Sequence, residues 1–276
     1  MRFFPQSGLC AAVVAFCVSV SPLPAHADIQ TIQNSNSAIW GAVGTGFFNY
    51  KEPSSPPDIP DSEHGWNPSL AAGLSYMNNS NWYSAFEGNV AFGDDKYNGS
   101  TYDSNTGYYD IPYLGTTHET ITNIDGKFGK GFSLGNSIML TPYGELGFRY
   151  WDRNLGAGQV EDYQNFDVLG GLMLQIAPTN RLILTGYGSA GTTFAGRMKT
   201  DGLDNNLGDA SMYKIGGKVG YDLTQRVELF TTLDFDHFHY VKSPWQYDAN
   251  LGGYIMEPTS FTDDTTMRVG LAYHFK

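Results

Sequence analysis

Cysteine is nearly missing from this chain. Cys10 and Cys17 are the only two, and both lie close to the N-terminus. The sequence after them can make no disulfide and no cysteine-ligated metal site. Positive charge is scarce as well: 16 Lys and Arg stand against 28 Asp and Glu, a formal net charge of -12. Such a balance argues against a nucleic-acid partner, whose phosphates need cationic side chains to neutralise them. Long apolar runs are the third absence. Beyond residue 27 no stretch approaches the ~20 consecutive apolar residues that a transmembrane helix requires.

The first 27 residues read as a secretory leader. Arg2 precedes an apolar run from Leu9 to Val20, and Ala25-His26-Ala27 fits the small-x-small cleavage pattern. The run is too short to span a bilayer and is followed by Pro22 and Pro24. Leu9 and Phe16 stand before the two cysteines, where a lipoprotein needs a small residue. Cleavage after Ala27 removes Arg2 and no acid, taking the charge from -12 to -13 (-12 - 1). The expected organisation is therefore 1–27 leader and 28–276 one domain.

What the chain does have is alternation. In the closing stretch Thr262–Lys276, Met267, Val269, Leu271, Tyr273 and Phe275 alternate with Thr266, Arg268, Gly270, Ala272 and His274. A period of two is the mark of a strand with one apolar face. From Ser37 onward ten such segments are expected, separated by four short turns and five longer loops. Asn78–Asn81, Pro178–Asn180 and Thr224-Gln225 are turn signals. Lys51–Asn67, Asp94–Leu114 and Val241–Phe261 read as long loops. Inward positions include Glu87, Glu145, Arg149, Asp167, Lys214, Lys218, Asp222 and Arg268. Aromatics near strand ends suggest two girdles, Trp82, Phe128, Tyr221, Tyr273 and Phe275 at the turn side and Tyr50, Tyr97, Tyr150 and Tyr213 at the loop side.

A chain-terminal alternating strand with aromatics at its end resembles the assembly signal of bacterial outer-membrane β-barrels, with Phe275 as the signal residue. That resemblance implies an all-β, antiparallel, up-and-down transmembrane barrel with both termini and the short turns in the periplasm. Ten strands is the expected number and eight the alternative. A secreted soluble β-protein with an apolar interior would show the same alternation. The partners implied are outer-membrane lipid, lipopolysaccharide and the barrel-assembly machinery. Asp28–Asn36 is long enough only for a tail or a plug fragment.

Candidate chemistry is sparse, and no catalytic, cofactor or metal site is assigned from sequence. Asp234-Phe235-Asp236-His237-Phe238-His239-Tyr240 lies at the loop end of strand nine, and Asp94-Asp95 at the loop end of strand three. A His with carboxylates could activate water there. This set is similar to that of omptins, ten-stranded outer-membrane proteases with an Asp pair and an Asp/His pair at the barrel mouth. On a strand, however, Asp234 and Asp236 share one face and His237 and His239 the other. No Ser/His pair suggests an acyl-transfer site. Asp201, Asp204, Asn205, Asn206 and Asp209 form an acidic loop without EF-hand spacing. The tyrosine-rich segment 97–113 reads as a contact surface or as rim packing. The leading expectation is a non-enzymatic barrel that acts through its loops or as a narrow pore; the alternative is the rim protease.

Overall fold

The structure is a computed structural model and describes residues 28–54, 56–156, 159–200, 203–248 and 253–275. The expected leader, residues 1–27, and Asp201 and Lys276 lie outside these residues. Ten strands form a closed antiparallel up-and-down barrel. They are β1 Ala38–Glu52, β2 Asp61–Met77, β3 Trp82–Asp103, β4 Tyr108–Lys130 and β5 Ile138–Gly156. The second half comprises β6 Gln159–Thr179, β7 Leu182–Thr200, β8 Ser211–Asp222, β9 Val227–Tyr240 and β10 Ser260–His274. Closure is made by β1 on β10, from Ala38↔His274 to Lys51↔Phe261. Pairing of the first strand with the last leaves no open edge, which is what lets a sheet stand in hydrocarbon. No described helix is long and apolar enough to cross a membrane.

The alternation reads as expected on the closing strand. Met267, Val269, Leu271 and Tyr273 are about half exposed on the outer wall, whereas Thr266, Gly270, Ala272 and His274 are buried inside. On β3, outward residues run from Trp82 to Phe92. Ten steps of ~3.3 Å, tilted by ~40°, give a band ~25 Å tall, the height of a hydrocarbon core. Aromatic pairs border it. Trp82 stacks on Phe128 with centroids 5.3 Å apart, and Tyr76 on Phe275 at 6.5 Å, at the turn end. Phe47 meets Trp66 at 5.3 Å and Phe166 meets Phe194 at 5.7 Å at the loop end.

Tyr50 and Tyr97 depart from the expected girdle. Both are buried in the lumen, at 0% and 5% exposure. The reason lies in their hydroxyls, which donate to the carboxylates of Glu52 and Asp61.

All three of the expected long loops are in part strand; within 241–261, Gln246–Asp248 pairs with Gly253–Ile255. β2 starts at Asp61, and β3 and β4 continue through most of 94–114 as a hairpin around Ser104–Gly107. Gly107 takes φ +77 at that turn, a value glycine accepts at no steric cost. Its strands are rich in Gly, Asn, Ser and Thr, so they carry no apolar pattern, yet they pair with each other at 21 positions from Trp82↔Lys130 upward. β7, whose faces sequence left undeclared, carries a bulge where Asn165 of β6 opposes two residues, and Ala195 there takes φ +52.

Inside, side chains occupy the lumen in three layers. At the turn end the helix α1, Ile29–Ser35, enters the barrel; Asp28 caps it by accepting from the Thr31 amide at 3.2 Å. Ile32, fully buried, packs with Met77, Tyr83, Met139, Tyr143 and Met173. The segment Asp28–Asn36 is thus a plug. Gln33 Nε2 donates to Asn81 Oδ1 at 2.7 Å, and Asn36 Nδ2 to Gln175 Oε1 at 2.7 Å, tying it to the wall. A middle layer of ion pairs surrounds a cavity of about 190 Å³. An aromatic layer at the loop end, Phe48, Tyr50, Trp151, Tyr163, Phe238 and Tyr240, completes the filling.

Candidate functional site

Five of the eight inward charges expected from the alternation, Glu87, Glu145, Lys214, Lys218 and Arg268, line the cavity of the middle layer. Asp167 stands beside Asp125 and Glu145, Arg149 lies over the Phe238 ring, and Asp222 is set apart at the turn end. Lys127 Nζ meets Glu87 at 2.5 Å, Lys214 Nζ bridges Asp125 at 2.9 Å and Glu145 at 2.6 Å, and Arg268 Nη1 meets Asp234 at 3.0 Å. Each of these three cations thus has a carboxylate, which is what keeps buried charge tolerable. Asp125, Lys127 and Glu119 come from β4, whose faces are polar on both sides in sequence; no alternation signal exposes them there.

The loop-end layer is built around Arg153. Its guanidinium, 3% exposed, donates from Nε to Glu63 Oε1 at 2.8 Å and from Nη1 to Glu161 Oε2 at 2.6 Å. It also lies over the Tyr50 ring at 4.9 Å. Trp151 stacks on Tyr163 at 4.8 Å, and Tyr163 on Tyr240 at 5.5 Å. Further carboxylates around this centre each have an aromatic donor. Tyr50 Oη donates to Glu52 at 2.9 Å, Tyr97 Oη to Asp61 at 2.7 Å, Trp151 Nε1 to Glu119 at 3.2 Å and Tyr163 Oη to Glu257 at 2.5 Å. The aromatic rings therefore serve twice, as lumen filling and as the donors that a single arginine cannot supply.

Glu257 lies in the loop before β10, outside the spanning strands. Burial raises its carboxyl well above the usual range, and the Glu52 and Glu161 carboxylates add to the rise, against the Tyr163 bond and Arg153. The folded chain then keeps a proton that the unfolded chain has released, so this group costs stability as pH climbs past the ordinary glutamate value of 4.5. Glu257→Gln keeps an acceptor for Tyr163 and removes the titration. Its urea midpoint should match the parent near pH ~4 and exceed it near pH ~8; identical pH slopes would refute this assignment.

The residues of the rim-protease reading are not brought together. Asp94 faces outward and meets His118 Nδ1 at 2.5 Å, whereas Asp95 is fully buried inside, taking Asn67 Nδ2 at 3.4 Å. Asp234 and Asp236 face the cavity. His237 lies on the outer wall, with Nδ1 2.6 Å from Asp263 and its ring stacked on Tyr213 at 4.7 Å; His239 stacks on Phe261 at 5.6 Å. Two Asp/His pairs do exist, Asp94–His118 and Asp263–His237, each formed by residues in direct register across two strands. Sequence reading missed His118 and Asp263 because only register reveals them. Three strand spacings, from β10 through β1 and β2 to β3, separate the pairs by ~14 Å, and both stand on the wall rather than in a cleft. The acidic loop is also committed in part: Asp204 accepts from Arg197 Nε at 3.1 Å.

No family model and no curated protein matches the chain. Among solved structures it is similar to the outer membrane protease OmpT from Escherichia coli, at TM-score 0.62 and 8% identity over 87% of this chain and 98% of that one. Neisserial surface protein A also matches, at TM-score 0.34 and 12% identity over 86% and 97% of the two chains. Ail of Yersinia pestis matches at TM-score 0.28 and 12% identity over 87% and 99%. The likeness to OmpT is one of fold alone: a closed antiparallel β-barrel.

Proposed function

We propose that this chain is a non-enzymatic protein of the bacterial outer membrane that works through its loop-end, extracellular surface rather than through its lumen. One observation carries the reading. Side chains fill the barrel at both ends, while the β3–β4 hairpin extends beyond its neighbours as a two-stranded arm. Pairing of β2 with β3 ends at Ser62↔Asn98, and pairing of β4 with β5 begins at His118↔Asn154. Past those positions the arm pairs as strands with itself alone, braced by Ile59 N–H donating to Tyr109 O at 3.0 Å.

The arm presents Tyr108, Ile111 and Leu114, exposed at 47%, 45% and 76%. Tyrosine and apolar side chains on a preformed ribbon make a contact surface whose ordering cost is already met in folding. The residues 97–113 thus divide: Tyr97 is lumen packing, and the rest are the arm. Outer-membrane lipid and lipopolysaccharide would meet the aromatic girdles, and the barrel-assembly machinery would read the closing strand at Tyr273–Phe275.

The protease reading is the second one, favoured only by the likeness to OmpT. Against it stand the ~14 Å between the two Asp/His pairs and the outward aim of both, since a general base must lie within hydrogen-bond reach of its water. The refolded chain is expected to leave a diverse peptide library intact. Cleavage that disappears in both Asp94→Ala and His237→Ala would replace the present reading with the protease.

A further inference from the structure

At the turn end of the lumen, three side chains outside all the layers described above converge. Asp222 is the last residue of β8, Glu228 the second of β9 and His274 the last of β10. The short turn between β8 and β9 and the closing register of β10 force them together. One ligand atom from each lies within 4.8 Å of the other two. His274 Nε2 stands 3.6 Å from Glu228 Oε2, and His274 Nδ1 stands 3.8 Å from Asp222 Oδ1.

We propose that Asp222, Glu228 and His274 form a binding site for one divalent transition-metal ion of the zinc class. The separations carry the argument. At 3.6 and 3.8 Å the groups are too far apart to hydrogen-bond, and His274 Nε2 and Asp222 Oδ1 have no hydrogen-bond partner. Yet the histidine side chain is 2% exposed and Glu228 is fully buried, where an unpaired polar atom is costly. Two ligands of a tetrahedral ion with bonds of ~2.0–2.2 Å lie ~3.3–3.6 Å apart, so the Glu228–His274 pair is already spaced for such an ion. An ion takes only one imidazole nitrogen, and the 3.8 Å to Asp222 runs from the other one, Nδ1. With the three ligand atoms within 4.8 Å of one another, Asp222, the one partly exposed member at 15%, closes by ~1 Å to reach tetrahedral spacing and gives the ion its way in. One imidazole nitrogen with two carboxylate oxygens suits zinc better than calcium, which takes oxygen ligands alone.

The surroundings orient the glutamate. Ser35 Oγ, from the plug helix, donates to Glu228 Oε2 at 3.0 Å, and Lys218 Nζ holds Oε1 at 2.6 Å. Such outer bonds fix a ligand's direction. Gly220 leaves the space that the carboxylate fills: a Cβ there would come within 2.7 Å of the Glu228 carboxyl carbon. Bound metal would join the last three strands to one another and, through Ser35, to the plug.

The test uses the refolded chain in detergent, stripped with a chelator and titrated with Zn²⁺ by calorimetry at neutral pH. One saturable site is expected, insensitive to excess Ca²⁺. His274→Gln and Asp222→Asn should each weaken it at least ~10-fold, and the double variant His118→Ala/His237→Ala, which removes both outer-wall pairs, should leave it unchanged. Should His274→Gln fail to regain the compact, heat-modifiable form, Asp222→Asn decides. Absence of a saturable site overturns the proposal. So does a site weakened less than ~10-fold by Asp222→Asn, or one lost with His118 and His237, which would place the ion on the outer wall.

Discussion

Arg153→Met should lower the unfolding free energy by about 3–5 kcal/mol, the cost of breaking a buried ion pair by removing one partner. The size follows from burial. Arg153 is 3% exposed, Glu63 is fully buried and Glu161 is 8% exposed. Methionine fills part of the volume but leaves two carboxylates facing each other with no cation. They can escape by taking up protons, so the loss should be larger at alkaline than at acid pH. The second change Glu63→Gln removes one stranded charge and should recover part of the loss. Arg197 makes a useful contrast, because it also forms a two-point pair, with Asp204, but the partners are 40% and 46% exposed. Solvent screens that pair, and Arg197→Met should cost under ~1 kcal/mol. Urea unfolding followed by tryptophan fluorescence reads all three variants. Equal effects at positions 153 and 197 would show that the Arg153 layer does not hold the barrel.

How legible the fold was depended on where a strand meets lipid. Leu70, Leu74, Phe86, Leu146, Val168, Ile215 and Leu233 face hydrocarbon and are exposed apolar residues, so their alternation is forced and could be read. β4 could not be, because much of it stands beyond the apolar band. His118 and Thr120 face outward there with no lipid tail to exclude polarity, while Glu119, Asp125 and Lys127 face in. The hairpin at 98–114 failed for the same reason: its strands are held by each other, not by a buried face. Tyr50 and Tyr97 show a different limit. A tyrosine near a strand end suits a headgroup belt and a lumen acid equally well, and only the parity of its strand decides.

The inferred sites divide along similar lines. Counting alone put Asp234 and Asp236 on one face and His237 on the opposite one, and the structure turns the aspartates inward and the histidine outward. Their partners, Arg268, Asp263 and Tyr213, required register, which loops of uncertain length do not fix. Arg153 lies four residues beyond Arg149 on the same inward face, so its direction was readable in principle. Its loop-like surroundings, Asn154 to Gly158, hid the fact that β5 continues through it.

The lumen should not conduct in a planar bilayer, and opening it should require removing two obstacles rather than one. The plug and the aromatic layer lie in series along the same axis, one packed around Ile32 and the other around Trp151. Resistances in series add, so current is set by whichever obstacle remains. Deleting residues 28–36 removes Ile32 but leaves Trp151, Tyr163 and Tyr240 stacked across the loop end. Trp151→Ala opens a gap in that stack, at a cost of about 3–5 kcal/mol for a buried aromatic truncated to alanine, yet leaves the plug in place. Each change alone should therefore give a silent membrane, and the two together should give discrete current steps, provided that heat-modifiable migration shows a folded barrel in every case. The ion pairs of Lys214 and Arg268 would then line the opened path and tune which ions pass. Steps from the unmodified chain would overturn the closed-lumen reading, and steps from the plug deletion alone would show that the aromatic layer is no barrier.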